Sequence, residues 1–203
     1  MKYSRARGGT TYDCTMGNSG SAEEQDRVGY RVLGVQASSP SAAVGLVSFF
    51  DFIVAANDVE LRTLDTTLID MIKEHEDKEL SLKVYNWKNN TLRDVVLTPT
   101  RKWPGEGMLG VTIRFDTYHE AEENLCHVLE VEPDSPAELA GLQAGTDYLL
   151  GTTEKVFKDA DVLFEELKEN IDKPVEFYVY NSETDEVRVS VIMVSWGLWG
   201  CPQ

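Results

Sequence analysis

Two stretches of the chain carry one signature. Ser39-Pro40 is followed by Gly45-Leu46 and Asp51, and Ser135-Pro136 by Gly141-Leu142 and Asp147. The internal spacing is identical, and the copies lie 96 positions apart (39 to 135). A period of that size is domain-sized and far exceeds the roughly 20–50 residues of a solenoid repeat. The echo extends on both sides. Val32-Leu33-Gly34-Val35 matches Val128-Leu129-Glu130-Val131, and Phe52-Ile53-Val54 matches Tyr148-Leu149-Leu150. Val84-Tyr85-Asn86 then matches Val179-Tyr180-Asn181, one residue closer. Chance supplies single matches, not an ordered series of them, so the chain is expected to fold as two similar domains.

Length permits this. The 203 residues divide into two domains of roughly 90 each, large enough to hold a core without disulfides. Cys14, Cys126 and Cys201 form no metal or disulfide spacing, and their odd number suits a reducing compartment. No apolar run approaches the roughly 18 residues of a membrane span, and no secretory h-region opens the sequence. A net charge of −16 repels nucleic acid phosphates and anionic lipid alike. Only Lys2, Arg5 and Arg7 make the extreme N-terminus mildly basic.

Residues 1–27 are rich in Gly, Ser and Thr, lack apolar periodicity, and are expected to form a flexible leader. A first domain is expected over 28–118, a second over 119–198, and an atypical tail over 199–203. Within the first, Tyr30 to Val35 alternates as a strand. Ser39 caps a helix of about a turn and a half, Pro40 presets its first φ, and Gly45 stops it. Phe49–Ala55 is a buried strand. Leu64, Leu68, Met71 and Ile72 follow helical spacing over 64–75. Leu80–Trp87 and Leu92–Leu97 are strands joined by a hairpin turn at 88–91. The second domain repeats this order: strands at 126–131, 147–151, 174–180 and 187–193, and helices at 136–140 and 159–169. The fold class is α+β, mainly β.

This order, with one short and one longer helix, resembles a PDZ domain. The resemblance implies binding of an extended C-terminal peptide as an added strand, its carboxylate received by free N–H groups of a glycine loop. Met108-Leu109-Gly110-Val111, leading into Thr112-Ile113-Arg114, has that character. It ends the first domain rather than beginning it, as in circularly permuted PDZ domains. Leu68 and Ile72, one turn apart, are the expected helical wall, although such spacing equally describes plain core.

Longer segments are more specific. They are Gly29-Tyr30-Arg31-Val32-Leu33, Phe49-Phe50-Asp51-Phe52-Ile53-Val54, Trp103 to Phe115, Glu123-Asn124 with His127 to Glu132, and Asp134-Ser135-Pro136-Ala137 with Ala140-Gly141-Leu142. Through them the chain resembles the Golgi reassembly and stacking protein family over about residues 16–192. The resemblance implies a peripheral Golgi membrane protein on the cytosolic face. Its PDZ domains would bind golgin-type C-terminal peptides and self-associate in trans, tethering cisternae and serving Golgi organisation and secretion. It also implies an N-terminal myristoyl group. Met16-Gly17-Asn18-Ser19-Gly20-Ser21 fits M-G-x-x-x-S with Gly17 as acceptor, provided translation starts at Met16. One such chain binds membrane only marginally, so a membrane-bound partner would supply the second attachment. The alternative is a soluble cytosolic PDZ scaffold.

Departures from the family bear on sites. Where the family can share zinc with a golgin through a His and a Cys, this chain has Arg31 and Asp116, so no metal and no cofactor is expected. Beyond Ile192, Val194-Ser195-Trp196-Gly197-Leu198-Trp199-Gly200-Cys201 is shorter than the family's second glycine loop, which leaves the second groove incomplete. Gly17-Asn18-Ser19-Gly20-Ser21 also has the look of a serine protease nucleophile segment. No His precedes it to act as base, so no enzyme is expected. His75 is expected to be solvated, and Cys126-His127 supply too few ligands for a metal. The acidic stretches 116–123 and 154–170 are expected to be solvated faces.

Overall fold

The structure is a computed structural model, and it describes residues 2–5, 27–119, 121 and 125–194. The chain divides into two compact units, one of residues 11–122 and one of residues 1–10 with 123–203. Gly17, Ser19, Cys14, Cys201 and the tail 199–203 lie outside the described residues.

The first described element is strand β1 (Lys2–Arg5). The unit of residues 11–122 then runs β2 (Val28–Val35), α1 (Pro40–Ala43), β3 (Asp51–Ala56), β4 (Val59–Glu60), α2 (Thr67–Glu74), β5 (Leu80–Asn86), β6 (Thr91–Leu97) and β7 (Val111–Thr117). The other unit runs β8 (Cys126–Glu130), α3 (Pro136–Leu139), β9 (Asp147–Gly151), α4 (Ala160–Glu169), β10 (Pro174–Asn181) and β11 (Glu186–Met193). Both sheets are antiparallel. The first has the order β6-β5-β3-β2-β7, with β4 paired to β3, and the second has the order β1-β8-β9-β10-β11.

Local chemistry explains the short helices. Ser39 and Ser135 each accept a hydrogen bond from the backbone N–H three residues on, at 3.0 and 3.2 Å. Each proline fills a position whose N–H would have no helical acceptor. Gly45 and Gly141 follow with φ of +70° and +72°, the left-handed turn that ends a helix without a Cβ penalty. The strands read as expected: β5 alternates buried and accessible residues through its length. Tyr30, Val32, Ile53, Leu68, Leu82, Val84 and Leu109 form one core, and Cys126, Val128, Leu149, Phe157, Leu163, Phe177 and Val179 the other.

The aspartates of the repeat are the hubs of the two units. Asp51 is fully buried. Its carboxylate accepts from Asn86 Nδ2 at 2.8 Å, from Arg93 Nη1 and Nη2 at 3.0 and 2.6 Å, and from the N–H of Val47 at 2.7 Å. Asp147 has the same set: Asn181 at 2.8 Å, Arg188 at 3.1 and 2.5 Å, and the N–H of Gln143 at 2.8 Å. The same arginines reach the carbonyls of Gly45 and Gly141. Each hub therefore ties the end of the short helix to the outermost hairpin.

Burial raises the carboxyl pKa of Asp147, but the hydrogen bonds from Arg188, Gln143 N–H and Asn181 outweigh it and leave the pKa below the usual range. A depressed folded-state value stabilises the unit above the unfolded carboxyl pKa of about 3.9, and that stabilisation is lost as pH falls through the folded value. Acid titration of the second unit is thus expected to show a loss of stability below about pH 4. Asp147→Asn is expected to flatten that dependence, as urea midpoints across pH would show.

The leader expectation fails at its start. Lys2–Arg5 form an edge strand against β8, about 120 residues downstream. Four polar residues have no apolar period to read, and an antiparallel ladder is held by backbone groups that sequence pattern does not report.

Candidate functional site

β7 is the last strand of the first sheet. Among the described residues, β2 lies on one side of it and no strand on the other, so its outer N–H and C=O groups form a template for a further strand. The segment before β7 is a fastened loop. Gly110 O accepts from Gln36 N–H at 2.9 Å, Leu109 O from Ser41 N–H at 3.1 Å, and Met108 O from Thr100 N–H at 2.9 Å. Three carbonyls are thereby turned inward. Among the described residues, the N–H groups of Leu109 and Gly110 donate to no backbone acceptor.

Gly110 holds this shape. Its φ is +66°, and a Cβ there would lie 2.3 Å from Ser39 Cβ and 2.5 Å from the Trp103 ring. Trp103 is fixed in turn by its Nε1–H donating to Gly107 O at 3.0 Å. The need for glycine is therefore steric as well as conformational.

α2 is pinned alongside. Its entry is fastened by Tyr30 OH donating to Asp65 O at 2.9 Å, and Tyr30 packs edge-on against Phe115 of β7. Past its C-terminal end, Asp77 N–H donates to Pro99 O, Lys102 pairs with Asp77 at 2.7 Å, and Arg101 pairs with Glu76 at 3.1 Å. The end of α2 thus stands by the segment that leads into the loop, and its start by the far end of β7. Met71 and Ile72 on α2, and Val111, Ile113 and Phe115 on β7, are half-buried and pack on the same core.

Of the expected groove residues, Met108 and Leu109 are buried, so the loop offers backbone rather than side chains. Val111 opens β7. Leu68 has no exposed surface and is a core residue beneath α2, whereas Ile72 keeps accessible surface. Met71, which sequence spacing marks as helical, adjoins it.

Arg31 and Asp116 meet at 3.4 Å, with side chains 6% and 10% exposed. Burial pushes the Arg31 guanidinium down to about 10 despite the opposing pull of Asp116. It also lies over the Phe52 ring and donates to Phe49 O. A cation and an anion thus pair at these two positions. His75 is half-buried, its ring nitrogens 2.8 Å from Met71 O and 2.9 Å from Asn57 Nδ2. Cys126 faces the core, where burial lifts its thiol to about 11, while His127 stacks on Tyr148. Among the described residues no three potential metal ligands cluster, and no helix is long and apolar enough to cross a membrane.

A short and a longer helix, an open edge strand and a glycine loop at the end of the first unit define a PDZ-like domain of permuted strand order, and the second unit repeats the order of strands with one short and one longer helix. The chain belongs to the GRASP55/65 PDZ-like domain family, which matches residues 13–115 and again 105–201. It is 37% identical over 172 residues to Golgi reassembly-stacking protein 1 of Mus musculus, covering 85% of this chain and 38% of that protein. The Homo sapiens protein of the same name is 36% identical over 85% of this chain and 39% of its own length. An uncharacterized protein of Schizosaccharomyces pombe, C1D4.02c, is 27% identical over 86% of this chain and half of its own length. The chain thus spans between about a third and a half of the length of these relatives. The names of the mouse and human relatives place the family in Golgi reassembly and stacking.

Proposed function

We propose that the first unit binds the free C-terminal end of a golgin-type partner as an added strand along β7, and that this binding tethers Golgi membranes. The observation that carries this reading is that, among the described residues, the edge of β7 is open and runs out of a loop whose Leu109 and Gly110 N–H groups have no backbone acceptor. The peptide carboxylate would lie on those two groups. Val111 would begin the strand ladder, and Ile72, with Leu68 supporting it from below, would line the opposite wall. Self-association in trans would use the same edge. The names of the mouse and human relatives support the Golgi setting.

Titration of the intact chain with a short hydrophobic C-terminal peptide and with its amidated twin tests this. A carboxylate on two N–H groups makes charge-assisted hydrogen bonds of about 1.5–3 kcal/mol, so the amide is expected to bind roughly ten- to a hundredfold more weakly. Equal affinity of the two peptides would sink the loop assignment.

Membrane attachment through myristoyl at Gly17 belongs to the same proposal and requires Met16 as the initiating residue. Intact mass of the native protein tests it. One observation favours a soluble scaffold instead: Lys2–Arg5, which precede Met16, take part in the second sheet.

A further inference from the structure

The second unit contains no β7 of its own among the described residues, yet the corresponding place beside β8 is filled. β2 and β8 are equivalent strands, 96 positions apart. β2 pairs with β3 on one side and β7 on the other, and β8 pairs with β9 on one side and β1 on the other. The registers coincide in detail. Val32 stands against Ile113, and its counterpart Val128 against Tyr3. Arg31 stands against Arg114, and His127 against Ser4. Tyr30 stands against Phe115, and Cys126 against Arg5. Even the irregularity recurs: the first ladder passes over Leu33 to pair Gly34 with Thr112, and the second passes over Leu129 to pair Glu130 with Lys2. Both pairings are antiparallel. Residues 2–5 therefore occupy the slots of 112–115.

We propose that the β8 edge is a strand-binding site and that the chain's own residues Lys2–Arg5 are its ligand in cis. Three observations agree. The register is that of an integral strand rather than an arbitrary contact. Cα atoms of β1 come within 8 Å of α4; a further strand needs about 4.8 Å from its neighbour and sheet-to-layer spacing of about 10 Å, so β1 leaves no room for one before α4. The donor is also among the few basic segments of a chain of net charge −16, and it runs beside a helix whose sequence includes Asp161, Glu165, Glu166 and Glu169. The place beside β8 is thus filled by residues from the N-terminal end of the chain, where the first unit fills the equivalent place beside β2 with its own β7. Residues 2–5 lie outside both family matches, so the donor is an addition to the family's pattern. Acylation of Gly17 needs a free N-terminal glycine. On the proposed reading of Gly17 as acceptor, an acylated chain cannot also carry this strand, so myristoylation and the β1–β8 pairing exclude each other.

Backbone amide exchange of the full chain tests the site. In the intact protein, the amides of Tyr3–Arg5 and the β8 amides facing them are expected to exchange at least tenfold more slowly than unstructured amides. Exchange of residues 2–5 at unstructured rates would overturn the assignment, and no variant is needed to see it. Successive N–H groups of a strand point to opposite edges, so Tyr3→Pro with Ser4→Pro removes a ladder donor whichever way the strand is phased. That variant is expected to speed exchange of the β8 amides at least tenfold. It should also capture a labelled peptide of residues 1–10 that the intact chain ignores. Equal capture by both proteins would refute the site. Protection of β8 that falls on dilution would give the donor to a second copy and overturn the cis reading.

Discussion

Arg93→Ala is expected to destabilise the first unit by about 3 kcal/mol, while the second unit keeps its stability. The reason is the state in which it leaves Asp51. That carboxylate has no exposed surface and receives two guanidinium hydrogen bonds, at 3.0 and 2.6 Å. Removing the arginine leaves a buried anion with, among the described residues, Asn86 and the Val47 N–H as donors. Losing one partner of a buried pair costs about 3–5 kcal/mol; the lower end applies here because the Arg93 side chain is 33% exposed and water can replace part of it. The helix end at Gly45 loses its anchor in the same step. Urea unfolding followed by amide exchange in each unit separates the two transitions. A loss under about 1 kcal/mol would show that the hub is redundant. Arg188→Ala, with Asp147 as the stranded group, is expected to reproduce the effect in the second unit.

Gly110→Ala is expected to cost the first unit about 2–5 kcal/mol. About 1–2 kcal/mol of this comes from a Cβ at φ +66°. The remainder is overpacking, since the new methyl would press on Ser39 Cβ at 2.3 Å and on the Trp103 ring at 2.5 and 2.7 Å. Both neighbours resist movement, because Ser39 caps α1 and Trp103 is hydrogen-bonded to Gly107. The same measurement in each unit checks this, and an unchanged first-unit transition would show that the loop gives way freely. One consequence concerns peptide binding. A substitution at Gly110 disturbs folding and the carboxylate site together, so altering the peptide's own carboxylate is the cleaner probe of the groove.

Much of each domain is legible locally. Ser39 and Ser135 announce helix starts because their hydroxyls cap an N–H three residues on, and Gly45 and Gly141 announce stops because only glycine turns left-handed without cost. The alternation of β5 is likewise visible in its letters. The hubs were half visible. Asp51 and Asp147 belong to the repeat, as do Asn86 and Asn181. Their arginine partners, Arg93 and Arg188, keep the same spacing as those asparagines and belong to the repeat as well. Leu68 could not be separated from Ile72 by spacing, since burial depends on how far α2 is drawn onto the sheet, and contacts such as Tyr30 to Asp65 decide that.

The sequence by itself determined that there are two units and where their short helices begin and end, because caps, turns and apolar alternation act over a few residues, and its longer segments carried the family resemblance. Only the tertiary structure decided that the units are unequal at their edges. The place beside β2 is taken by β7 of the same unit, while the equivalent place beside β8 is taken by β1 from the N-terminal end of the chain. A strand is recruited to an edge by backbone hydrogen bonds across about 120 residues of chain, and those bonds are made by groups that every residue carries.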